Sequence, residues 1–302
     1  MKRLLALGAT IAGVLAVPLS GVAAAPGAVV CSQDTQAFSG SASTLIVPAD
    51  GYCEITNASI AADLVLQDGA GADLGNVRIG GSMTGGVDAG AGISDTTIGR
   101  DLSLQGGDGG AELAGVTIGH DYRLSDGAGT SMERTAIGHD FVATQSSSIQ
   151  TGKVGRDGLG GPVSVGHDAL ITGFFADNPF VFDGICNLHV GHDMRVTNRT
   201  VTLGFGIASV ACPREGQPGN TIDHDLVVTG NTAAVGFFGP SSLRIADDRV
   251  GHDLIFSGNA AAAGGSLEVT GNTVGHDAIC SGNAPALTVV TPNVAGHKNT
   301  CG

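Results

Sequence analysis

The stretch Ile118-Gly119-His120-Asp121 contains the motif that decides the fold, an aliphatic residue followed by Gly-His-Asp. Its further copies, some with Arg for His or Asp for Gly, are Ile98-Gly99-Arg100-Asp101, Ile137-Gly138-His139-Asp140, Val154-Gly155-Arg156-Asp157, Val165-Gly166-His167-Asp168, Val190-Gly191-His192-Asp193, Ile222-Asp223-His224-Asp225, Val250-Gly251-His252-Asp253 and Val274-Gly275-His276-Asp277. Repeats of roughly 20 to 50 residues are typical of solenoids, whose turns pack only on their neighbours. We therefore look for function on a long regular surface.

A short alternating run follows each motif, as in Leu254-Ile255-Phe256-Ser257-Gly258-Asn259. Such β-rich runs ending at Gly-Asn indicate a strand and then a turn, and no window has a sustained helical period. We predict an all-β fold, a single-stranded right-handed parallel β-helix of roughly 20-residue coils stacked about 4.8 Å apart. Two motifs are only 11 residues apart near 154–168, so the number of coils there is left open.

Glycine makes up 50 of the 302 residues and recurs in the motif. Sharp corners between the faces of a solenoid need residues with positive φ, which glycine adopts at no steric cost. We therefore expect the motif glycine to supply positive φ at a corner.

The chain is expected to be exported. Residues 1–24 combine a basic start, an apolar stretch and small residues, which is typical of a signal peptide. We expect a linker over 25–30 and a β-helix domain over 31–302, with longer insertions around 173–189, 203–220 and 232–249. No later apolar run is long enough for a transmembrane segment.

Six cysteines in an exported chain suggest disulfides that clamp the ends of the rod. Cys280 and Cys301 follow equivalent motif positions, and Cys31 and Cys53 lie about one coil apart, so we predict these two pairs. The pair Cys186–Cys212 then remains. The alternative, cysteines as metal ligands, has no Cys-x-x-Cys spacing in its favour.

The formal charge of −14, or −16 once Lys2 and Arg3 are removed, argues against nucleic acid and anionic lipid as partners. The chain has no Trp and two Tyr, which weakens a role in polysaccharide processing because sugar sites often use aromatic platforms. We expect partners, if any, among cell-envelope or matrix components. The oligomeric state stays open.

Stacking of coils would turn each motif position into a column. The histidines of this column are His120, His139, His167, His192, His224, His252 and His276, with His297 at the end of the rod. The same slot holds Arg100 and Arg156, and burying an unpaired Arg would cost several kcal/mol, so we place the column outside. Imidazoles beside carboxylates suit weak divalent-metal binding, the one cofactor we consider. The alternatives are a solvated ladder whose Asp side chains bind corner amides, or a pH-sensitive surface.

Two further sets of residues recur or cluster. The asparagines Asn220, Asn231, Asn259, Asn272, Asn283 and Asn293 fall at fixed distances from the motif, and stacked amides can bond to one another, so we interpret them as structural ladders. The phenylalanines near the insertions form a candidate binding patch, with packing of the loops onto the rod as the alternative: Phe174, Phe175, Phe180, Phe182, Phe237 and Phe238.

Catalysis has little support, because His and Asp neighbour each other by repetition and no serine stands out. We therefore predict a secreted, non-enzymatic structural or surface-interaction protein of the envelope or matrix. The alternative is a polysaccharide-active lyase or hydrolase that uses surface Asp residues near the Phe-rich insertions.

The ends of the chain carry a family resemblance. Residues Gly271-Asn272-Thr273-Val274-Gly275-His276-Asp277-Ala278-Ile279-Cys280, then Gly296-His297-Lys298 and Cys301, resemble the closing coil of uncharacterised secreted bacterial β-helix repeat proteins of actinobacterial type. Val47-Pro48-Ala49-Asp50-Gly51-Tyr52-Cys53 resembles their opening. The likeness covers roughly residues 31–302 and implies export and a β-helix, with no activity to carry over. A weaker likeness is to bactofilins.

Overall fold

The computed structural model describes residues 27–31, 37–106, 109–152, 161–173, 182–202, 204–208, 219–236 and 239–302. This part of the chain contains strands and no helix, and therefore no helix that could cross a membrane. Nearly all strands pair in parallel with the equivalent strands of the turns before and after. The predicted parallel β-helix is confirmed, and each regular turn has three faces.

The first face is a twelve-stranded parallel sheet. Alternate side chains enter the core, as Leu102 and Leu104 do, because successive side chains of a strand point to opposite sides. Its strands are β1 (Ala28–Val30), β3 (Thr44–Val47), β5 (Leu64–Leu66), β8 (Met83–Val87), β11 (Leu102–Gln105), β14 (Tyr122–Ser125), β17 (Phe141–Thr144), β20 (Ala169–Thr172), β23 (Met194–Thr197), β27 (Leu226–Thr229), β33 (Leu254–Ser257) and β37 (Ala278–Ser281).

The second and third faces form one 21-stranded sheet, because β4 (Tyr52–Ile60) crosses the corner between them. The second face also contains β2 (Ala37–Ala42), β6 (Gly71–Gly75), β9 (Gly90–Ser94), β12 (Gly110–Ala114), β15 (Gly129–Glu133), β18 (Ile149–Thr151), β21 (Phe182–Ile185), β25 (Gly204–Ala208), β31 (Ser242–Ala246) and β35 (Ser266–Thr270). The third contains the short strands β7 (Arg78–Ile79), β10 (Thr97–Ile98), β13 (Thr117–Ile118), β16 (Ala136–Ile137), β19 (Val163–Val165), β22 (Leu188–Val190), β26 (Thr221–Ile222), β32 (Arg249–Val250), β36 (Thr273–Val274) and β38 (Val294–Ala295). The motif's aliphatic residue lies at the end of the third face, and Gly-His-Asp turns the chain onto the first.

Five short strands lie outside these faces. Three pair in parallel: β24 (Thr200–Val201), β28 (Thr232–Ala233) and β34 (Ala260–Ala261). An antiparallel hairpin, β29 (Val235–Gly236) and β30 (Gly239–Pro240), lies within the insertion predicted over 232–249.

Strand register counts the turns that the sequence left open. On the first face Leu102, Tyr122 and Phe141 are successive partners, 20 and 19 residues apart. Phe141 then pairs with Ala169, 28 residues later. Residues 154–157 and 165–168 therefore belong to one long turn, and only the second motif contributes to the corner.

The core of the rod is a stack of the motif's aliphatic side chains. Each is at most 2% exposed: Ile79, Ile98, Ile118, Ile137, Val165, Val190, Ile222, Val250 and Val274. Burying one such side chain stabilises the fold by about 2 kcal/mol. Because every turn contributes one, the repeat distributes the hydrophobic stabilisation evenly along the axis.

The motif glycine has a different role from the one expected. No motif glycine in the described residues has positive φ. A Cβ on Gly138 would lie 2.3 Å from the carbonyl oxygen of Gly119 one turn earlier, and one on Gly166 would lie 2.2 Å from that of Gly138. Glycine is needed because the backbones of successive turns approach too closely for a side chain. Positive φ occurs at the other two corners, for example at Gly258 and Asp247.

Both ends of the rod are clamped as predicted. The disulfides Cys31–Cys53 and Cys280–Cys301 link neighbouring turns, with Cα–Cα distances of 6.2 and 4.9 Å. Cys186 is also disulfide-bonded. Cys212 lies outside the described residues, so the pair Cys186–Cys212 stays a prediction.

The N-terminal boundary differs from the expected linker over 25–30. Ala28–Val30 form β1 and pair with β3, and the Cys31 N–H donates to the carbonyl oxygen of Ile46. The apolar, β-branched segment extends the first sheet and is held there by the adjacent disulfide. The predicted signal peptide over 1–24 lies outside the described residues.

Candidate functional site

The most regular feature of the surface is the His column, defined as His120, His139, His167, His192, His224, His252, His276 and His297. Each backbone N–H from His139 onward donates to the carbonyl oxygen of the preceding column histidine at 2.9–3.1 Å, which fixes the spacing of the rings. Ring centroids lie 4.9–5.1 Å apart with planes within 11° of parallel. The side chains are 44–71% exposed, so the predicted outward orientation is confirmed.

Every ring of the His column is anchored by a carboxylate from the turn before. The Asp column supplies these carboxylates: Asp101, Asp121, Asp140, Asp168, Asp193, Asp225, Asp253 and Asp277. Nδ1 of each histidine lies 2.7–3.2 Å from the Oδ1 atom of its Asp. The same Oδ1 accepts the next backbone N–H at 3.0–3.2 Å. The predicted ladder of Asp side chains and corner amides is confirmed, and the amides belong to the next turn.

The anchoring fixes the protonation of the rings. Nδ1 of His167 lies 3.2 Å from Asp140 and 3.4 Å from Asp168 of its own turn, and both groups are carboxylates. A carboxylate ion only accepts hydrogen bonds, so Nδ1 carries the proton. Nε2 of the neutral ring is then a lone-pair donor that faces away from the carboxylates. His189 is the contrast beside the column, because its Nε2 lies 3.0 Å from the Asp223 carboxylate.

The carboxylates of the column are held ionised by their donors. Burial opposes ionisation of Asp193, but hydrogen bonds from Arg195 and His224 outweigh it and lower the pKa of Asp193 to about 2. In return, the hydrogen bond to Asp193 raises the pKa of His224. Asp121 is paired with Arg123 in the same way. The column is thus a row of fixed negative charges covered by neutral, orientable imidazoles.

Two further columns flank the histidines on the outer side of the first face. One is aliphatic and half-buried, and it contains Val142, Leu170, Val227, Ile255 and Ile279, with Arg195 among them. The next is hydroxylic and contains Thr144, Thr172, Thr197, Thr229, Ser257 and Ser281. The sequence interpretation missed both, although their constant distance from the motif was visible. Together with the His column they make a flat face, called here the His face.

The geometry of the column limits how it can hold a metal ion. His, Asp and the next His repeatedly bring possible ligand atoms within 4.8 Å of one another. An ion with bonds of about 2.1 Å can join two nitrogens at most about 4.2 Å apart. Because the parallel rings stand 4.9 Å apart, two neighbours do not chelate one ion without tilting. The arrangement therefore offers one imidazole at a time.

No catalytic triad assembles at the column. The hydrogen bonds given to its rings in the described residues all join Nδ1 to carboxylates, and none involves a serine hydroxyl. A nucleophile activated by His needs that hydroxyl within hydrogen-bond reach. The arrangement orients imidazoles and does not activate a nucleophile.

An open groove of about 470 Å³ runs along the second face. Its floor is a row of small residues, including Gly90, Gly110 and Gly129, which are successive partners in the sheet. Asp88 and Glu112 contribute acidic side chains. The groove lies away from the segments that carry the Phe-rich patch.

The asparagines form two buried ladders, as predicted. In the second ladder the Asn231 N–H donates to Oδ1 of Asn259, whose N–H donates to Oδ1 of Asn283, each at 3.0 Å. In the first ladder Asn220, Asn272 and Asn293 are joined in the same way, with Asp248 in an Asn position. These side chains satisfy one another, so the ladders are structural.

Arg199 is the buried residue that sequence reasoning missed. It occupies the Asn231 position one turn earlier and is fully buried. Its guanidinium makes a two-point pair with Asp183 at 2.8 and 2.9 Å, and it donates to the carbonyl oxygens of Ser146 and Gly173. Its distance from the motif Asp, six residues, equals that of the ladder asparagines and would have revealed it.

The candidate Phe patch receives no description here. Phe174, Phe175 and Phe180 and the pair Phe237 and Phe238 lie outside the described residues. Phe182 begins β21, but only its backbone is described. The patch therefore stays a prediction.

Comparison with known proteins gives this chain no relative. No family model matches it, and no curated protein or solved structure matches it either. The resemblance to secreted bacterial β-helix repeat proteins therefore stays an expectation, and function has to be argued from the columns themselves.

Proposed function

We propose that the chain is an exported, non-catalytic β-helix that binds a cell-envelope or matrix component through the His face. The observation that carries the proposal is the unbroken outward stack of eight imidazoles, each anchored on a carboxylate and spaced 4.9–5.1 Å from the next. A rigid row of identical groups suits a repetitive partner, because many weak contacts then act together. The disulfides are compatible with an oxidising environment outside the cell.

Co-sedimentation with envelope fragments of the producing cells tests this function. The test variant carries Ala at four column positions, His167, His192, His224 and His252. Alanine is suitable because Ala62 holds the same slot near the start of the rod. His189→Ala is the matched control, since His189 is exposed but lies outside the column.

We expect the parent and the control to sediment with the fragments and the quadruple variant to remain in the supernatant. Circular dichroism and the melting midpoint establish that all three are folded. Equal sedimentation of the parent and the quadruple variant, or none by the parent, contradicts the proposal.

The groove on the second face favours a second candidate, a polysaccharide-active lyase or hydrolase. Its volume of about 470 Å³ is within the range of ligand sites, and Asp88 and Glu112 supply carboxylates. Release of reducing ends from envelope polysaccharides, abolished in Glu112→Gln, would support it. No release from any of these polysaccharides would count against it.

A further inference from the structure

We infer that the Nε2 edge of the His column binds divalent transition-metal ions, one ion to each imidazole. The inference rests on the proposed function, because it names the chemistry by which the His face contacts its partner. Zinc, nickel and copper are the class of ion meant, since imidazole is a preferred ligand for all three.

The first step of the argument is the free nitrogen. Nδ1 of every column histidine faces Asp carboxylate oxygen at 2.7–3.2 Å and is the proton-bearing atom. Metal-bound histidines are usually held in this way, with the second ring nitrogen donating to a carboxylate that fixes the ring and increases its basicity. The Asp column thus already supplies the outer partners of a metal site, repeated in every turn from His120 to His297.

The second step concerns which ions fit. Oδ1 of each Asp in the column already accepts a ring Nδ1 and a backbone N–H, as Asp140 does from His167 and Asp168. These carboxylates are not free to build the cage of six or more oxygens that calcium requires. Nitrogen is the available ligand, which selects zinc, nickel or copper over calcium and magnesium.

The third step is affinity. Because the rings stand 4.9 Å apart and an ion spans at most about 4.2 Å between two nitrogens, each ion has one protein ligand and the rest water. Single sites are weak, and the open positions on each ion remain free for a partner's donor groups. Eight ions in a line would join the acidic rod to a partner that carries carboxylates or phosphates, which the formal charge of −14 would otherwise repel.

Equilibrium dialysis with zinc chloride near neutral pH is the direct test, on the full folded chain after removal of the signal peptide. The variant with alanine at His167, His192, His224 and His252 keeps four of the eight sites, so zinc uptake should fall about twofold. His189→Ala should keep the parent's uptake, because its Nε2 is already engaged by Asp223. Calcium should not be retained by any of the three.

Nitrogen NMR of the histidine side chains provides a readout independent of stoichiometry. The column rings should be protonated at Nδ1 before zinc is added, and zinc should shift the Nε2 resonances of the column. Protonation at Nε2 in the metal-free protein, or full zinc uptake by the quadruple variant, would overturn the inference.

A chelator separates this inference from the proposed function. Co-sedimentation that requires the column but persists in EDTA overturns the metal inference and leaves the binding surface in place. Zinc binding by the column without any column-dependent co-sedimentation supports the metal site and contradicts the proposed function. Co-sedimentation lost in EDTA and restored by zinc supports both.

Discussion

The His–Asp corner and the second Asn ladder are built from the same bond and differ in direction and environment. Outside, Oδ1 of Asp253 accepts the backbone N–H of Asp277 one turn later and the Nδ1 proton of His276. Inside, Oδ1 of Asn259 accepts the backbone N–H and the side-chain amide of Asn231 one turn earlier. The repeat therefore places a charged acceptor where water can solvate it and a neutral acceptor where it cannot.

This difference explains why only the outside column is available for function. A buried polar group must be fully paired inside the protein, so the Asn amides have no capacity left for a ligand. The imidazoles satisfy one nitrogen internally and leave the other to solvent. Substitutions should accordingly be costly inside and cheap outside, and the four predictions below test that contrast.

The largest effect is expected for Arg199→Ala. The change leaves the Asp183 carboxylate buried without its cation, and breaking a buried pair costs about 4 kcal/mol. Arg195→Ala is the matched control, because its pair with Asp193 lies at the surface and should contribute below about 1 kcal/mol. Urea unfolding of both variants measures the difference. Equal losses would mean that burial does not govern the cost.

Two residues of a single turn give the next contrast. Asn259→Ala removes the acceptor of two buried donors of Asn231 and should destabilise the fold by about 3 kcal/mol. His252→Ala, seven residues earlier and on the surface, should stay within about 0.5 kcal/mol. Chemical denaturation compares them directly. A loss of similar size for His252→Ala would show that the ring stack supports the fold itself.

The repeat made the fold and the orientation of the columns predictable from sequence. Period gave the turns, and the Arg100 equivalence placed the histidines outside, as found. The Arg156 equivalence was wrong as support, because His139 stacks directly on His167 at 5.0 Å and leaves no column position between them. The length of a turn does not say which of two motifs forms its corner, since an insertion shifts the register without changing the motif.

Other features could not be recognised because the pattern was searched by residue type. Arg199 and Asp248 occupy ladder positions at the same distances from the motif as the asparagines, but neither is an Asn. The cause of the motif glycine was out of reach for another reason. Positive φ and close backbone approach both select glycine, and only the distances between turns distinguish them.

The third prediction asks whether the two ladders can be separated mechanically. Gly166→Ala places a Cβ 2.2 Å from the carbonyl oxygen of Gly138, so neighbouring turns must separate at the corner, at about 2 kcal/mol. Gly258→Asn, at a positive-φ position with no atom near its Cβ, should be nearly neutral, as Asn198 holds the equivalent place. Thermal melts measure both. We also expect the NMR shifts of His139 and His167 to change while those of Asn259 do not.

The smallest predicted effect comes from the one position that departs from the rule. Asp248 is a carboxyl in a buried Asn position, 2% exposed, and its Oδ2 has no hydrogen-bond partner among the described residues. Burial raises the pKa of Asp248 well above its ordinary value, although Asn220 donates to it. Replacing Asp248 by Asn restores the neutral amide of the ladder, and we expect a gain of about 1 kcal/mol at neutral pH.

The pH dependence of that gain identifies its cause. Because the folded-state pKa of Asp248 is raised, the folded protein holds a proton that the unfolded chain releases. The stability of the parent therefore falls as pH rises from about 4, the unfolded value, through the higher folded value. Asp248→Asn lacks this loss, so its advantage should be smallest below about pH 4 and grow toward neutrality. Urea unfolding of parent and variant across this range tests the sign. An advantage that is constant with pH would mean that Asp248 does not titrate differently on folding, and that the rod tolerates an ionised carboxylate inside its Asn ladder.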